Sequence, residues 1–239
     1  MNTRIKAFFI VAVAVACWAS CKKNGDAPAK AAGTSLVNII NVSNNNINFY
    51  INGNRINNTT TFYSGGTLGY MNVISGTQNY SFKVDGISTL APFYNKPFQA
   101  DSAAGYTFYV AGQTENDVFS GHDTWIPDTG VNLTKYAQIR YVNASSSAGN
   151  LKFVLIGKTN AIADSSQFDN VPYKTITDFK RITTGVHYIG IYRSAYPQNP
   201  KIDTVTISAG KIYTFYGYGT AIPAGNLGII AGLFNNGNG

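Results

Sequence analysis

Apolar and polar side chains alternate with a period of two along most of this chain. Ile47, Phe49 and Ile51 alternate with Asn46, Asn48 and Tyr50; Tyr80, Phe82 and Val84 alternate with Ser81, Lys83 and Asp85. Leu151, Phe153 and Leu155 alternate with Lys152, Val154 and Ile156. Successive side chains of an extended strand point to opposite faces, so this period predicts strands with one core face and one mixed face. Such strands form antiparallel sheets packed on one side. Turn formers separate them: Asn52-Gly53-Asn54, Ser64-Gly65-Gly66, Ser75-Gly76, Asp85-Gly86 and Ala209-Gly210. No stretch shows helical spacing. Short strands recurring every ~8–12 residues predict β-sandwiches, with two sheets burying the alternating apolar residues between them.

The same pattern occurs twice. Tyr-Thr-Phe-Tyr stands at 106–109 and again at 213–216, each time just after Ala-Gly. VNIINVS at 37–43 parallels IRYVNAS at 139–145, and Tyr80–Val84 after Gly76 parallels Tyr188–Tyr192 after Gly185. Three matches in one order at nearly one offset indicate a duplicated unit of ordinary domain size. The predicted fold is all-β: two tandem antiparallel β-sandwich (immunoglobulin/transthyretin-like) domains after an N-terminal signal helix. Residues 35–118 form the first sandwich and 135–235 the second. Residues 119–134, where the alternation fails, read as a linker. The apolar tail Leu227–Phe234 reads as a last strand closing the second sandwich.

Residues 1–20 have the layout of an export signal: Arg4 and Lys6, then an unbroken apolar run from Ala7 to Ala16, then small residues. The run is shorter than the ~20 residues of a permanent membrane span. The only two cysteines are Cys17, inside this segment, and Cys21, directly after it, so the body carries no disulfide. Ala19-Ser20-Cys21, followed by polar Lys22-Lys23-Asn24-Gly25, resembles a bacterial lipoprotein cleavage box. That resemblance implies that Cys21 becomes the new N-terminus and carries acyl chains, palmitate among them. It also implies an outer-membrane address, with the body facing the periplasm or the outside. Cys17 is the rival position, and an ordinary cleaved signal with an incidental cysteine is the other reading. Residues 21–34 form a flexible tether rich in Ala, Lys and Gly.

Composition agrees with strands and turns. Aromatics make up 13%, charged residues only 12%, and Glu115 is the single Glu. The net charge is +7, and +5 without Arg4 and Lys6. The positive charge is scattered, which argues against a nucleic-acid partner.

In the second unit QIRYVNAS, LKFVLIG, NVPYKTITDF, TTGVHYIGIY and DTVTISAGKIYTFYGYG together resemble the bacterial family known as domain of unknown function 4397. The first unit looks like a diverged copy, with Tyr63–Tyr70 in place of the Val-Pro-Tyr segment. The resemblance implies exported or lipid-anchored tandem β-sandwiches and brings no activity with it.

The residues offer little chemistry. An acid–base glycosidase needs a poised carboxylate pair, and one Glu with turn aspartates supplies none. No nucleophile elbow or phosphate loop occurs. His187 sits on a strand and reads as a packed or edge histidine. Metal-ligand types cluster once, as Asp117, His122, Asp123 and Asp128 in or near the linker; aspartate there more often serves turns. Asp101-Ser102-Ala103 and Asp203-Thr204-Val205 resemble a short O-glycosylation acceptor, with Ser102 and Thr204 as the acceptors. The sequence therefore reads as a non-catalytic, monomeric envelope lipoprotein without a cofactor. It would bind or scaffold a glycan or an envelope protein. The alternative is an adhesin or pilus-like subunit that assembles by strand addition, with 227–234 as the donor.

Overall fold

The structure is a computed structural model that describes residues 33–57, 61–86, 91–124, 132–157, 165–196, 198, 201–220 and 228–238. The export signal, its helix and Cys21 lie outside the described residues.

Among the described residues, sixteen strands fall into four four-stranded sheets. In the first half they are β1 (Thr34–Asn41), β2 (Ile47–Ile51), β3 (Asn54–Arg55), β4 (Met71–Ile74), β5 (Gly76–Val84), β6 (Tyr94–Ala100), β7 (Gly105–Val110) and β8 (Val118–His122). In the second half they are β9 (Tyr136–Asn143), β10 (Leu151–Gly157), β11 (Ser165–Val171), β12 (Lys180–Thr183), β13 (Gly185–Arg193), β14 (Lys201–Ile207), β15 (Lys211–Gly219) and β16 (Ile229–Asn238). A single 3-10 turn (Glu115–Asp117) and a four-residue helix, α1 (Asn132–Lys135), are the helical pieces among the described residues.

The sheets run β4-β1-β7-β8 and β3-β2-β5-β6, then β12-β9-β15-β16 and β11-β10-β13-β14. Adding eight to each strand of the first pair gives the second, so the duplication seen in the sequence is a duplication of topology. Backbone detail repeats as well. Gly65 donates its N–H to the Asn41 carbonyl at 2.7 Å, and Lys174 donates to Asn143 at 2.8 Å. Leu68 donates to Ile39 and Thr177 to Tyr141, both at 3.0 Å. Asn41 and Asn143 are wholly buried, and each accepts the N–H of the serine two residues on, Ser43 or Ser145.

The period-two strands bury the side expected. Leu151, Phe153, Leu155 and Gly157 are buried while Lys152, Val154 and Ile156 are half-buried. Each sandwich has its own core. Val37, Ile39, Phe49, Phe82 and Phe108 belong to the first, and Ile139, Tyr141, Phe153, Ile191 and Phe215 to the second.

Three expectations change. The sheets are not purely antiparallel: β1 pairs parallel with β7 (Val37↔Tyr106, Ile39↔Phe108), and β9 with β15 (Ile139↔Tyr213, Tyr141↔Phe215). The two repeated motifs are thus hydrogen-bonded neighbours in each sandwich. The supposed linker begins inside a strand, because β8 runs through His122 and pairs with β7 from Val110↔Val118 to Tyr106↔His122. Its Ser, Gly and His hide the alternation. The sandwiches are also not separate beads but one compact unit, Gly33–Gly239. Their outer faces on β1–β7 and β9–β15 carry apolar side chains, and these pack together as a third cluster of Ile40, Val42, Tyr109, Val142, Ala144 and Tyr216. All six residues of β7 are therefore buried, as expected of a strand covered on both faces. As expected, the tail supplies a final strand: β16 pairs antiparallel with β15 from Lys211 to Gly219.

Candidate functional site

The seam between the sandwiches holds the densest polar chemistry among the described residues. Alternation in each Tyr-Thr-Phe-Tyr strand sends Phe108 and Phe215 into their own cores and Thr107 and Thr214 into the seam. Arg140 points the same way from β9, between the core residues Ile139 and Tyr141. Asp123 follows β8, its backbone N–H bonded to the Gly105 carbonyl at 2.7 Å.

These side chains close a ring. One Asp123 oxygen accepts from Tyr70 and from Thr107, each at 2.7 Å. The other pairs with the Arg140 guanidinium. Arg140 Nε donates to Thr214 Oγ1 at 3.0 Å, Thr214 donates to Asn236 Oδ1 at 2.8 Å, and Asn236 Nδ2 donates back to Tyr70 at 2.8 Å. Asp123 and Arg140 are 0% and 2% exposed at their side chains, so water solvates neither charge. The guanidinium carbon lies 4.7 Å from the centre of the Phe179 ring. Burial lowers the tendency of Arg140 to hold its proton, but Tyr109, Asp123 and Tyr70 outweigh that and hold its pKa above the usual value. Burial, and then the Asp123 charge, push the Tyr70 phenol well above its ordinary range, so it remains a donor.

The sandwiches dock by reciprocal exchange. Segment 63–70 of the first reaches the second, where Gly65 lies under Tyr218 and Tyr70 under Phe234, ring centres 6.0 Å apart. The equivalent segment 172–179 reaches back. Tyr173 donates to Asp117 at 3.3 Å and stands edge-on to Phe119 at 6.1 Å, and Ile176 fills the space over Gly121. The same element of each copy crosses to the other, which is the pattern of a two-fold interface. Beside the ring a cleft of about 390 Å³ opens to solvent, lined by His122, Thr124, Arg140, Thr177, Asp178 and Phe179 among others.

The sequence candidates separate. Asp117 caps the 3-10 turn, accepting from Thr114 Oγ1 at 2.6 Å. His122 is exposed, its Nδ1 2.8 Å from the Thr124 hydroxyl. Asp123 is enclosed by protein donors, and a guanidinium holds the position a cation would need. Asp128 lies outside the described residues. No group of three or more metal-ligating side chains converges among the described residues. His187 is buried, with Nδ1 3.1 Å from the Gly185 carbonyl. Ser102 is exposed in the turn after β6, and Thr204 is exposed on β14 opposite Tyr188. Sequence reasoning missed Tyr70, Arg140, Thr214 and Asn236. The available signal was a lone arginine in mid-strand in a chain poor in charge.

Fold and seam define a class of protein: a tandem pair of eight-stranded β-sandwiches fused face to face. Residues 137–232, nearly all of the second sandwich, match the family described as Domain of unknown function (DUF4397). No curated protein matches the chain. Among solved structures, the Bacillus anthracis TIE protein is 10% identical with a TM-score of 0.26, the match covering 77% of this chain and 33% of that one. This chain thus spans about a third of that protein's length. A putative cell adhesion protein from Bacteroides ovatus ATCC 8483 is 8% identical with a TM-score of 0.23, covering 85% of this chain and 95% of its own. At TM-scores this low neither likeness bears on function.

Proposed function

We propose that this chain is a non-catalytic envelope lipoprotein, acylated at Cys21 and held at the outer membrane. Its paired sandwiches act as a binding or scaffold module for a glycan or an envelope protein. The observation that carries the binding reading is the seam cleft. It lies where two domains meet, a common place for ligand sites, and its lining combines the hydroxyls of Thr124 and Thr177 and the carboxylate of Asp178 over a floor made by Phe179 and the buried Arg140. The ring of Asp123, Arg140 and Tyr70 fixes both walls, so the cleft is preformed. The first sandwich we assign to the same family as the second, as a diverged copy; strand-for-strand agreement of the sheet orders supports this.

Two experiments test the reading. Fractionation of cells expressing Cys21→Ala is expected to move the protein from the membrane to the soluble fraction; continued membrane association removes the anchor. A glycan array and an envelope-protein pull-down with the chain from Lys22 onward are expected to give a signal that Phe179→Ala and Thr177→Ala abolish. Signals indifferent to both changes would take the cleft out of the account. The strand-addition alternative loses its donor, since the apolar tail is already paired with β15.

A further inference from the structure

Arg55 and Lys83 stand together on the outer face of the first sandwich. Register places Asn48 opposite Lys83 and Tyr50 opposite Arg55, all four on the side turned away from the core residues Phe49 and Phe82. With Asp85 and Gly86 they line a cleft of about 320 Å³ that opens to solvent. That volume is at the small end of ligand pockets and suits one sugar-sized molecule. The two cations are held in place but not satisfied. Lys83 Nζ lies 5.5 Å from the centre of the Tyr50 ring, and none of the ion pairs among the described residues includes it. Arg55 reaches only Asp85, at 4.0 Å, which is beyond hydrogen-bond distance. That Asp85 oxygen already accepts from Asn48 Nδ2 at 2.8 Å. The Arg55 side chain is 34% exposed, yet its Nε is shielded from solvent and meets no acceptor among the described residues. A shielded donor left unmade is costly, so it calls for an acceptor from outside the protein.

The second copy of the fold shows what a neutralised version looks like. Asp85 and Ser194 hold the same place, each donating its backbone N–H across the strand pair at 2.8 Å, to the carbonyls of Asn46 and Asn150. The registers then set Lys152 in the place of Asn48, Tyr192 in that of Lys83 and Gln167 in that of Arg55. There the cation is closed within the chain, because Lys152 pairs with Asp169 at 2.7 Å. The first copy instead gathers Arg55 and Lys83 around the one carboxylate of Asp85 and leaves a positive charge uncompensated. A single excess charge matches a monoanion. A planar guanidinium suits a carboxylate, whose two oxygens it can bind side by side, and Lys83 adds a point charge. Apart from Val84 and the Tyr50 ring the lining is polar, so an acid carried on a hydroxylated ring fits it and an aliphatic acid does not.

We propose that this cleft on the first sandwich binds a sugar acid, its carboxylate held between Arg55 and Lys83. This goes beyond the proposed function. The site belongs to the first sandwich alone and depends neither on the lipid anchor nor on the seam cleft.

The test is a proton–nitrogen NMR titration with sodium glucuronate of the chain from Lys22 onward, which keeps the whole compact unit. The Arg55 Nε–H resonance is expected to shift, together with the backbone amides from Lys83 to Gly86. Arg55→Gln and Lys83→Gln each weaken binding about tenfold or more, with the amides of the core unmoved. Lys152→Gln on the second copy leaves binding unchanged. Glucose, which lacks the carboxylate, leaves the Arg55 resonance where it was. The titration of the unaltered chain reads the site directly, so the proposal stays testable even if one substitution were to disturb its strand. An Arg55 Nε–H that glucuronate does not move, or that glucose moves as far, overturns the proposal, as does binding that neither substitution weakens. Equal or tighter binding of glucose 1-phosphate overturns the assignment to a carboxylate.

Discussion

Arg140 of the second sandwich and Asp123 of the first form an ion pair from which solvent is almost wholly excluded. Removing charges from water is costly, and only a fully satisfied network makes the pair tolerable. Here Tyr70, Thr107, Thr214 and Asn236 complete it. The network therefore serves less to stabilise than to define one docking of the two sandwiches.

That balance predicts an asymmetry between single and double changes. Asp123→Ala strands a buried guanidinium and is expected to cost about 3–5 kcal/mol in urea unfolding. The double change Asp123→Leu with Arg140→Met removes both charges and is expected to cost less than either single change. A double variant weaker than both singles would show the pair to be a net source of stability.

Alkaline pH should unfold the protein early. Burial, with Tyr106 as a lesser cause, pushes Tyr80 up to about 12; burial, with Tyr218, does the same for Tyr216. Tyr109 and Tyr173 are raised as well, by burial first. The unfolded chain loses these protons near pH 10, before the folded chain does. Their contribution is therefore complete below pH 10 and is lost as pH rises from there through about 12. Thermal melts by circular dichroism are expected to be level to about pH 9 and to fall steeply above pH 10. Equal melting temperatures at pH 9 and pH 11.5 would contradict this.

The repeat offers a paired backbone test. Gly65 and Lys174 hold the same place in the two copies, with φ of 78° and 67°. Only glycine adopts that region without strain. Lys174→Gly is expected to be neutral or to stabilise by up to about 1 kcal/mol, relief of strain being offset by chain entropy. Gly65→Ala adds strain, and its new carbon would lie 2.9 Å from the Tyr218 hydroxyl, so a loss of about 1–2 kcal/mol is expected. Chemical denaturation of the two variants reads both.

Packing inside the second core gives a harsher case. A carbon added at Gly217 would fall 2.1 Å from Ile191 Cδ1 and 2.7 Å from Leu151 Cδ1. Gly217→Ala is expected to cost about 1–3 kcal/mol, and a Leu151→Ala background should recover part of that loss. No recovery in the double variant would mean that the strain lies in the backbone.

Much of the fold is legible in the residues because sheet burial is periodic. Leu151, Phe153 and Leu155 announce their core, and the recurrence of Tyr-Thr-Phe-Tyr announces the second sandwich. The seam is harder to read. Thr107 and Tyr109 look like the solvent side of a strand, and a period-two pattern does not distinguish water from a second sheet. The parallel pairing of β1 with β7 joins residues about seventy positions apart and leaves no local mark. Asp123 reads as a turn aspartate because its partners Tyr70 and Arg140 lie on other elements, one of them in the other sandwich. The cleft follows from the docking and is hidden for the same reason.

Segments 63–70 and 172–179 trade places across the seam as matching parts of two identical subunits would. A true pair of identical subunits must accept every substitution twice, once on each side of its axis. Joining both halves in one polypeptide lifts that constraint. Asn38 can stand at the position that Arg140 occupies in the other half, so a single charge appears where symmetry would have forced two like charges together. Covalent fusion is what lets an arrangement with two-fold ancestry carry a one-sided site.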